Sequence, residues 1–284
     1  MKRRFIDITL GADPEVFLVD EKGNNISAIG KIGGSKENPR SITDLGHAVQ
    51  EDNVLAEFNI PASKTAEDFS NNIKLCIDWL DDNLSPLKTK ITASGTFADS
   101  ELDNPVAQEA GCNPDFNAWT GDENIAPQLG KTNLRSAGGH VAVGYSDPDP
   151  EVSIEILKLM DLFLGIPSVL LDKDTERRKL YGKAGCYRLK PFGLEYRTLS
   201  NYWIATDELR QWVFNNTIAA LKYLEKNKSI QDNDFEVIQT AINTNNLKLA
   251  NRLRKKYNVK MPDSFNELDL HFDLLEENEV VTAS

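Results

Sequence analysis

Residues 180–203 read LYGKAGCYRLKPFGLEYRTLSNYW. The stretch reads as two strands, with Gly193-Leu194-Glu195-Tyr196-Arg197 at its centre. On a strand, Glu195 and Arg197 share a face, because side chains two residues apart do so, and they sit roughly 6–7 Å apart. A carboxylate beside a guanidinium can hold a metal and a phosphate together. The same pair also suits an ordinary cross-strand ion pair on a sheet surface, and the rest of the chain decides between the two.

Working outward, strands come in neighbouring pairs. Residues 15–19 and 26–29 flank the turn Glu21-Lys22-Gly23-Asn24, a hairpin signal. Residues 31–39 form a loop rich in Gly, Ser and Asn. Residues 46–50 and 53–60 read as a second pair around Glu51-Asp52. Residues 65–84 carry Phe69, Ile73, Cys76, Ile77 and Leu80 at helical spacing, with Ser63 or Thr65 able to cap the helix. Residues 88–97 and 136–144 are further strands, and 151–164 a helix. Between them, residues 98–133 are rich in Asp, Asn, Gly and Pro, and a loop that long is more often functional than idle. From residue 207 on, segments 207–225, 234–243 and 246–257 read as helices, followed by an acidic tail at 274–284. Pairs of strands without regular strand–helix alternation predict an α+β fold with a largely antiparallel sheet. A core of 1–206 and a helical region of 207–284 packed on it are expected.

The chain has 284 residues, 40% hydrophobic and 27% charged, with a formal net charge of −12. Such an acidic chain lacks the basic footprint of a duplex DNA binder. Cys76, Cys112 and Cys186 show neither a disulfide framework nor zinc spacing, so a reducing, cytosol-like compartment is the default expectation. The start, MKRRFIDITLGADPEVFLVD, is interrupted by Asp7, Asp13 and Glu15 and does not read as a signal peptide. No apolar run approaches the roughly eighteen residues of a membrane span.

Four short pieces carry chemistry on strand-like backbone. In Gly11-Ala12-Asp13-Pro14-Glu15, two acids two residues apart can face one cavity, where they repel unless a cation lies between them. Pro14 implies that the strand is an edge or only begins there. Glu57 is bracketed by Leu55, Ala56, Phe58 and Ile60 and, if buried, needs a partner. His140 follows Gly138-Gly139, glycines that let a ligand approach the backbone. Arg177, Arg178, Lys183, Arg188 and Arg197 concentrate positive charge suited to phosphates. Each piece alone also has a plain reading: solvated acids, an exposed strand face, a core histidine, a charged surface loop. His47 and His271 have no comparable setting and read as structural. Together the pieces describe hard-cation ligands beside a phosphate-binding arginine group. No GxxxxGK[ST] loop and no dinucleotide fingerprint occurs.

In this order, GADPEVF, EDNVLAEFNIPA, GCNPDFNAW, RSAGGHVAVG and RRKLYGKAGCYRLKPFGLEYRTLSNYW resemble the phage branch of the glutamine synthetase-like carboxylate–amine ligases, which is also similar to glutamate–cysteine ligases. The resemblance implies a curved antiparallel sheet and ATP-dependent amide formation through an acyl phosphate, with Mg²⁺ or Mn²⁺. It implies cation ligation by Asp13, Glu15, Glu57, His140 and Glu195, and contact of Arg197 with the transferring phosphate. Arg178 and Arg188 match arginines near ATP or the acyl phosphate. In glutamate–cysteine ligases a further acid precedes the Glu57 position by seven residues; here Gln50 stands there, with Asp52 nearby. The phage branch has a second histidine where this chain has Ala142.

The leading expectation is therefore an ATP-dependent carboxylate–amine ligase. Its partners would be a small-molecule or peptide carboxylate and an amine, without membrane or strong nucleic-acid binding. A homo-oligomer and a cytoplasmic location in a host cell are compatible. The alternatives are a phosphotransferase of the same fold group and a non-catalytic phage binding or structural protein on the same scaffold.

Overall fold

The sequence TLGADPEVFLV alternates small or apolar residues with polar ones, and it forms the axis of the sheet. This strand, β1 (Thr9–Val19), is eleven residues long and is paired along both edges. The structure is a computed structural model, and it describes residues 4–108, 115–124 and 132–267. In chain order follow β2 (Asn25–Ile26), β3 (Arg40–Ser41), β4 (Ala48–Asp52), β5 (Leu55–Asn59), α1 (Ala66–Asn83), β6 (Lys88–Lys90) and β7 (Ser94–Thr96). Next come α2 (Pro105–Gln108), β8 (Phe116–Asn117), β9 (Leu134–Ser136), β10 (Gly139–Gly144), α3 (Pro150–Met160), α4 (Ile166–Leu171) and α5 (Arg177–Leu180). The chain ends with β11 (Cys186–Lys190), β12 (Gly193–Tyr196), α6 (Asp207–Glu225), α7 (Phe235–Asn243) and α8 (Leu247–Lys256).

The main sheet runs β3-β4-β5-β1-β10-β12-β11-β8, with β2 and β6 also pairing with β1, and every ladder is antiparallel. Leu10, Val16, Leu18, Val141, Val143, Leu194 and Tyr196 alternate onto one face and join the helices in the main core. The α+β expectation of a large antiparallel sheet backed by helices holds. No helix among the described residues is long and apolar enough to cross a membrane.

Several local expectations need correction. Pro14 lies inside a central strand rather than at an edge. Its missing N–H is tolerated because it faces the β5 side, where the ladder is recorded at Glu15 and Val16 and otherwise only as an isolated bridge at Leu10. The β4–β5 turn falls at Asn53-Val54, with Asn53 in the left-handed region, and not at Glu51-Asp52. Residues 88–97 split into β6 and β7, and 136–144 splits into β9 and β10.

The helix expected over 151–164 becomes α3, a π-helical stretch at Asp161–Gly165, and α4. Pro167 explains the widening, since it cannot donate to the carbonyl four residues earlier and its ring crowds that carbonyl. That acceptor, the Phe163 carbonyl, takes a hydrogen bond from Asn216 Nδ2 at 2.9 Å instead.

The helices are joined to the sheet by an aromatic seam. Phe69 of α1 stacks on Trp203 at 5.7 Å and meets Phe214 of α6 at 5.7 Å. The helices read at 65–84 and 207–225 form as expected, each with a threonine cap: Thr65 accepts from Asp68 N–H, and Thr206 from Leu209 N–H. Of the 98–133 segment, the described parts carry short elements only. The acidic tail, His271 and Cys112 lie outside the described residues.

Candidate active site

Register places the polar residues. Asp13 lies opposite His140, Glu15 opposite Glu57, Gln50 opposite Glu57, and both Ala142 and Arg188 opposite Glu195. Directly opposed residues share a face. Six neighbouring strands therefore present Gln50, Asp52, Glu57, Glu15, Asp13, His140, Glu195 and Arg188 on the face away from the main core. At one end this face is closed by a smaller apolar cluster that includes Phe17, Leu55 and Phe97.

The acids and the histidine fall into two groups, Asp13–His140–Glu195 and Glu15–Asp52–Glu57, each with ligand atoms within 4.8 Å of one another. In the first, His140 Nδ1 lies 3.6 Å from Asp13 Oδ1 and 3.3 Å from Arg197 Nη1. Burial, and then the Arg197 charge, hold His140 well below its ordinary pKa. The ring is thus the neutral form that ligates metals. Burial raises Asp13, against the pull of Arg197, Lys190 and Arg188. Burial also works against Glu195, yet its direct pairing with Arg197 and Lys190 keeps it ionised and its pKa below the usual value.

In the second group, Glu15 Oε2 accepts the Gly138 N–H at 2.7 Å. Its pKa is pushed up to about 7 by burial and then by the Asp52 carboxylate. Burial holds Glu57 well above its ordinary pKa, helped by Asp13, Asp52 and Glu15. Glu57 Oε2 is buried, and no described residue offers it a hydrogen bond. Asp52, paired with Lys36 at 2.9 Å, completes the group. Gln50 instead accepts from Asn59 Nδ2 at 3.0 Å.

The two glycines before His140 serve a different purpose from the one expected. A Cβ on Gly138 would lie 2.5 Å from His140 Nε2, and one on Gly139 would lie 2.3 Å from the Ser200 carbonyl oxygen. The space they leave is filled by the chain's own imidazole and backbone, not left open for a ligand.

The basic residues divide. Arg197 pairs with Glu195 and lies 3.4 Å from Asp115, and Arg188 Nη1 lies 3.9 Å from Glu195. Arg177 is buried behind them, and its guanidinium donates to the Thr198 carbonyl at 3.1 Å. Lys183 gives its carbonyl to the Thr198 hydroxyl at 2.9 Å. Arg178 corrects the expectation of a phosphate arginine. It is turned among the helices, where its guanidinium is taken by Ser168 at 2.7 Å and by Asn245. His47 is held by Thr43 and Asn72, as a structural residue is.

Three residues at or behind the site escaped sequence reading. Lys190, at the end of β11, pairs with Glu195 Oε2. Its signal was available: it is a long cation just before a tight turn, diagonal to Glu195. Asp115 reaches Arg197 from the 98–133 segment. Asp161, in the π stretch, accepts from Trp119 Nε1 at 2.6 Å and from the Tyr196 hydroxyl at 2.7 Å, and burial pushes its pKa up to about 6. Tyr196 lies between Glu195 and Arg197 on the opposite face, so Asp161 anchors that strand from below.

The donor sets suit hard divalent cations: carboxylate oxygens, one neutral imidazole, and an orphaned buried oxygen on Glu57. In the solved structures, the chain is similar to the crystal structure of a bifunctional glutathione synthetase from Pasteurella multocida, with a TM-score of 0.41 and 12% identity over 88% of this chain. The chain spans about half of that protein, 49%. No curated protein matches it. The family described as "Phage phiEco32-like COOH.NH2 ligase-type 2" matches residues 120–279, more than half of the chain, and the protein belongs to that family of ligases.

Proposed function

We propose that this chain is an ATP-dependent carboxylate–amine ligase that forms an amide through an acyl phosphate on a glutamine synthetase-like sheet, with Mg²⁺ or Mn²⁺. The observation that carries the reading is the convergence on one sheet face of two cation-ligand groups and, beside them, Arg197 and Arg188. Asp13, His140 and Glu195 would hold one ion, and Glu15, Asp52 and Glu57 another. Bound there, the ions would supply charge neutralisation for the transferring phosphoryl group.

Arg197 and Arg188 orient the phosphates, with Arg177 and Lys183 bracing the strand behind them. A substrate carboxylate oxygen bonds to the γ-phosphorus and ADP departs. The amine nitrogen then bonds to the acyl carbon, inorganic phosphate departs, and the departing phosphate or a nearby carboxylate takes the amine's proton. Burial of the site excludes water that would hydrolyse the acyl phosphate. The helical region 207–284 is part of the same unit as the 1–206 core; α6 packing on α1 and α3 supports this.

A screen of carboxylic acids and amines tests the proposal, following ADP release and reading the product by mass spectrometry. A new amide, formed one for one with ADP, is the expected result. ADP with a stable phosphorylated product and no amide would favour a phosphotransferase. No ATP binding would favour a non-catalytic protein.

A further inference from the structure

The polar face of the sheet is closed at one end and open at the other. Glu15, Glu57 and His140 are buried. Past Asp13, in the other direction, the same face carries Gly11 and Thr9 of β1 with Ala142 and Gly144 of β10. These four are half-buried, while Leu10, Ala12, Val141 and Val143, which alternate with them onto the core face, are buried. Register sets Gly11 opposite Ala142 and Ala142 opposite Glu195, then Thr9 opposite Gly144 and Gly144 opposite Gly193, whose other neighbour is Lys190. The open rung of Thr9, Gly144, Gly193 and Lys190 therefore lies two residues, roughly 7 Å, beyond the rung that holds Glu195 and Arg188.

Phe192, in the turn between β11 and β12, is 49% exposed. Its ring is seated on this open end, because a Cβ on Gly144 would lie 3.7 Å from Phe192 Cδ2 and 2.7 Å from Thr9 Oγ1. The seat is fixed. The Phe192 carbonyl accepts the Tyr145 N–H at 3.1 Å, and Gly193 turns the chain at a φ of 147°, where a Cβ would lie 2.2 Å from the Val143 carbonyl oxygen. A water-facing aromatic ring thus stands one rung from the arginine that orients phosphates. Aromatic faces beside cations hold nucleotides by stacking on the base while the charges take the phosphates. Among the described residues, the polar groups next to this ring do not distinguish one purine from another. The Tyr145 and Ser146 N–H groups are taken by the Phe192 and Ile6 carbonyls, and Lys190 is engaged with Glu195. The Thr9 hydroxyl both donates and accepts, so it suits an amino group and a carbonyl equally.

We propose that Phe192 is the nucleobase platform of the site and makes its nucleotide selection base-tolerant: the ring stacks the purine of a nucleoside triphosphate whose phosphates lie on Arg188 and Arg197, so that GTP serves as well as ATP. Stacking is open to either purine because each has a π-face, and discrimination between them needs a fixed donor or acceptor at the base edge. The inference rests on the ligase reading above and adds to it the place of the base and the breadth of the nucleotide specificity.

The test measures binding of ATP, GTP and tripolyphosphate, each with Mg²⁺, to the full chain by calorimetry. In the parent the two nucleotides bind within about threefold of each other, and tripolyphosphate, which has no base, binds about tenfold more weakly. Phe192→Ala and Phe192→Leu weaken both nucleotides about tenfold and leave tripolyphosphate unchanged, whereas Phe192→Trp keeps the parent's pattern. A parent that binds GTP more than about tenfold more weakly than ATP overturns the inference and leaves the ligase reading standing, since a base edge is then being read. So does a Phe192→Ala variant with the parent's affinity for both nucleotides. Loss of tripolyphosphate along with the nucleotides in both the Ala and Leu variants overturns it too, because the ring then supports the fold and not the base. Failure of the parent to bind any of the three overturns the ligase reading, and this inference with it.

Discussion

Glu195 is the residue on which the polar face turns. It touches Arg197, Lys190 and Arg188, and it shares a ligand group with Asp13 and His140. Glu195→Gln keeps the shape and removes the charge that those cations face. Amide formation should fall about a hundredfold or more, read as the initial rate of ADP release at saturating ATP. The buried acids make a separate prediction about pH. Glu15 keeps its proton up to about pH 7, and cation binding must displace it. Cation affinity should therefore rise as pH passes from 6 to 8, with proton release, as followed by calorimetry in buffers of different ionisation enthalpy. Stability without cation should run the other way. A carboxyl raised in the folded state stabilises it below the unfolded pKa, and that contribution is lost as pH rises through the folded value. Between about pH 4.5 and 7 the melting temperature should decline, and saturating Mg²⁺ should reverse the decline.

At the scale of elements, the alternation of β12 splits the labour between two faces. Glu195 points to the polar face, while Tyr196 points to Asp161 in the π-helical stretch. Tyr196→Phe leaves a buried carboxylate short of a donor and should cost about 1–3 kcal/mol in chemical denaturation. Gly138→Ala should act on the site more than on the fold. The added methyl would fall 2.5 Å from His140 Nε2, so the imidazole must move, and Mn²⁺ binding should weaken even where the protein still melts cooperatively. Much at this scale was legible beforehand. The helix at 65–84 announces itself through apolar periodicity and a capping Ser63 or Thr65 just before it, both local signals. The π stretch was hidden because it depends on Pro167 and on an Asn216 side chain fifty-three residues away. The turn of the β4–β5 hairpin was misplaced by two residues because Asn53, rather than the acids before it, adopts the left-handed conformation.

For the whole molecule, Phe69 is the sensitive joint. It is fully buried between Trp203 and Phe214, linking α1, the sheet and α6. Phe69→Ala should cost about 3–5 kcal/mol in equilibrium unfolding. A chain ending at residue 206 would expose the apolar face that α6 covers, and it should lose cooperative melting and bind a hydrophobic dye. A stable, cooperatively folding 1–206 fragment would contradict the proposal that 207–284 belongs to the same unit.

Residue order by itself determined which side chains share a strand face, because that alternation is a property of the local backbone. It also determined the helices at 65–84 and 207–225 and, through motif resemblance, the ligase family. Only the tertiary structure decided how those faces line up. Strand register brought Asp52 into the acid group beside Glu57, while the packing of α5 among the helices turned Arg178 toward Ser168 and Asn245. It also set Lys190 and Asp115 against the same charges. These outcomes depend on pairings between segments far apart in the chain and on the reach of long side chains. Local periodicity carries no record of either.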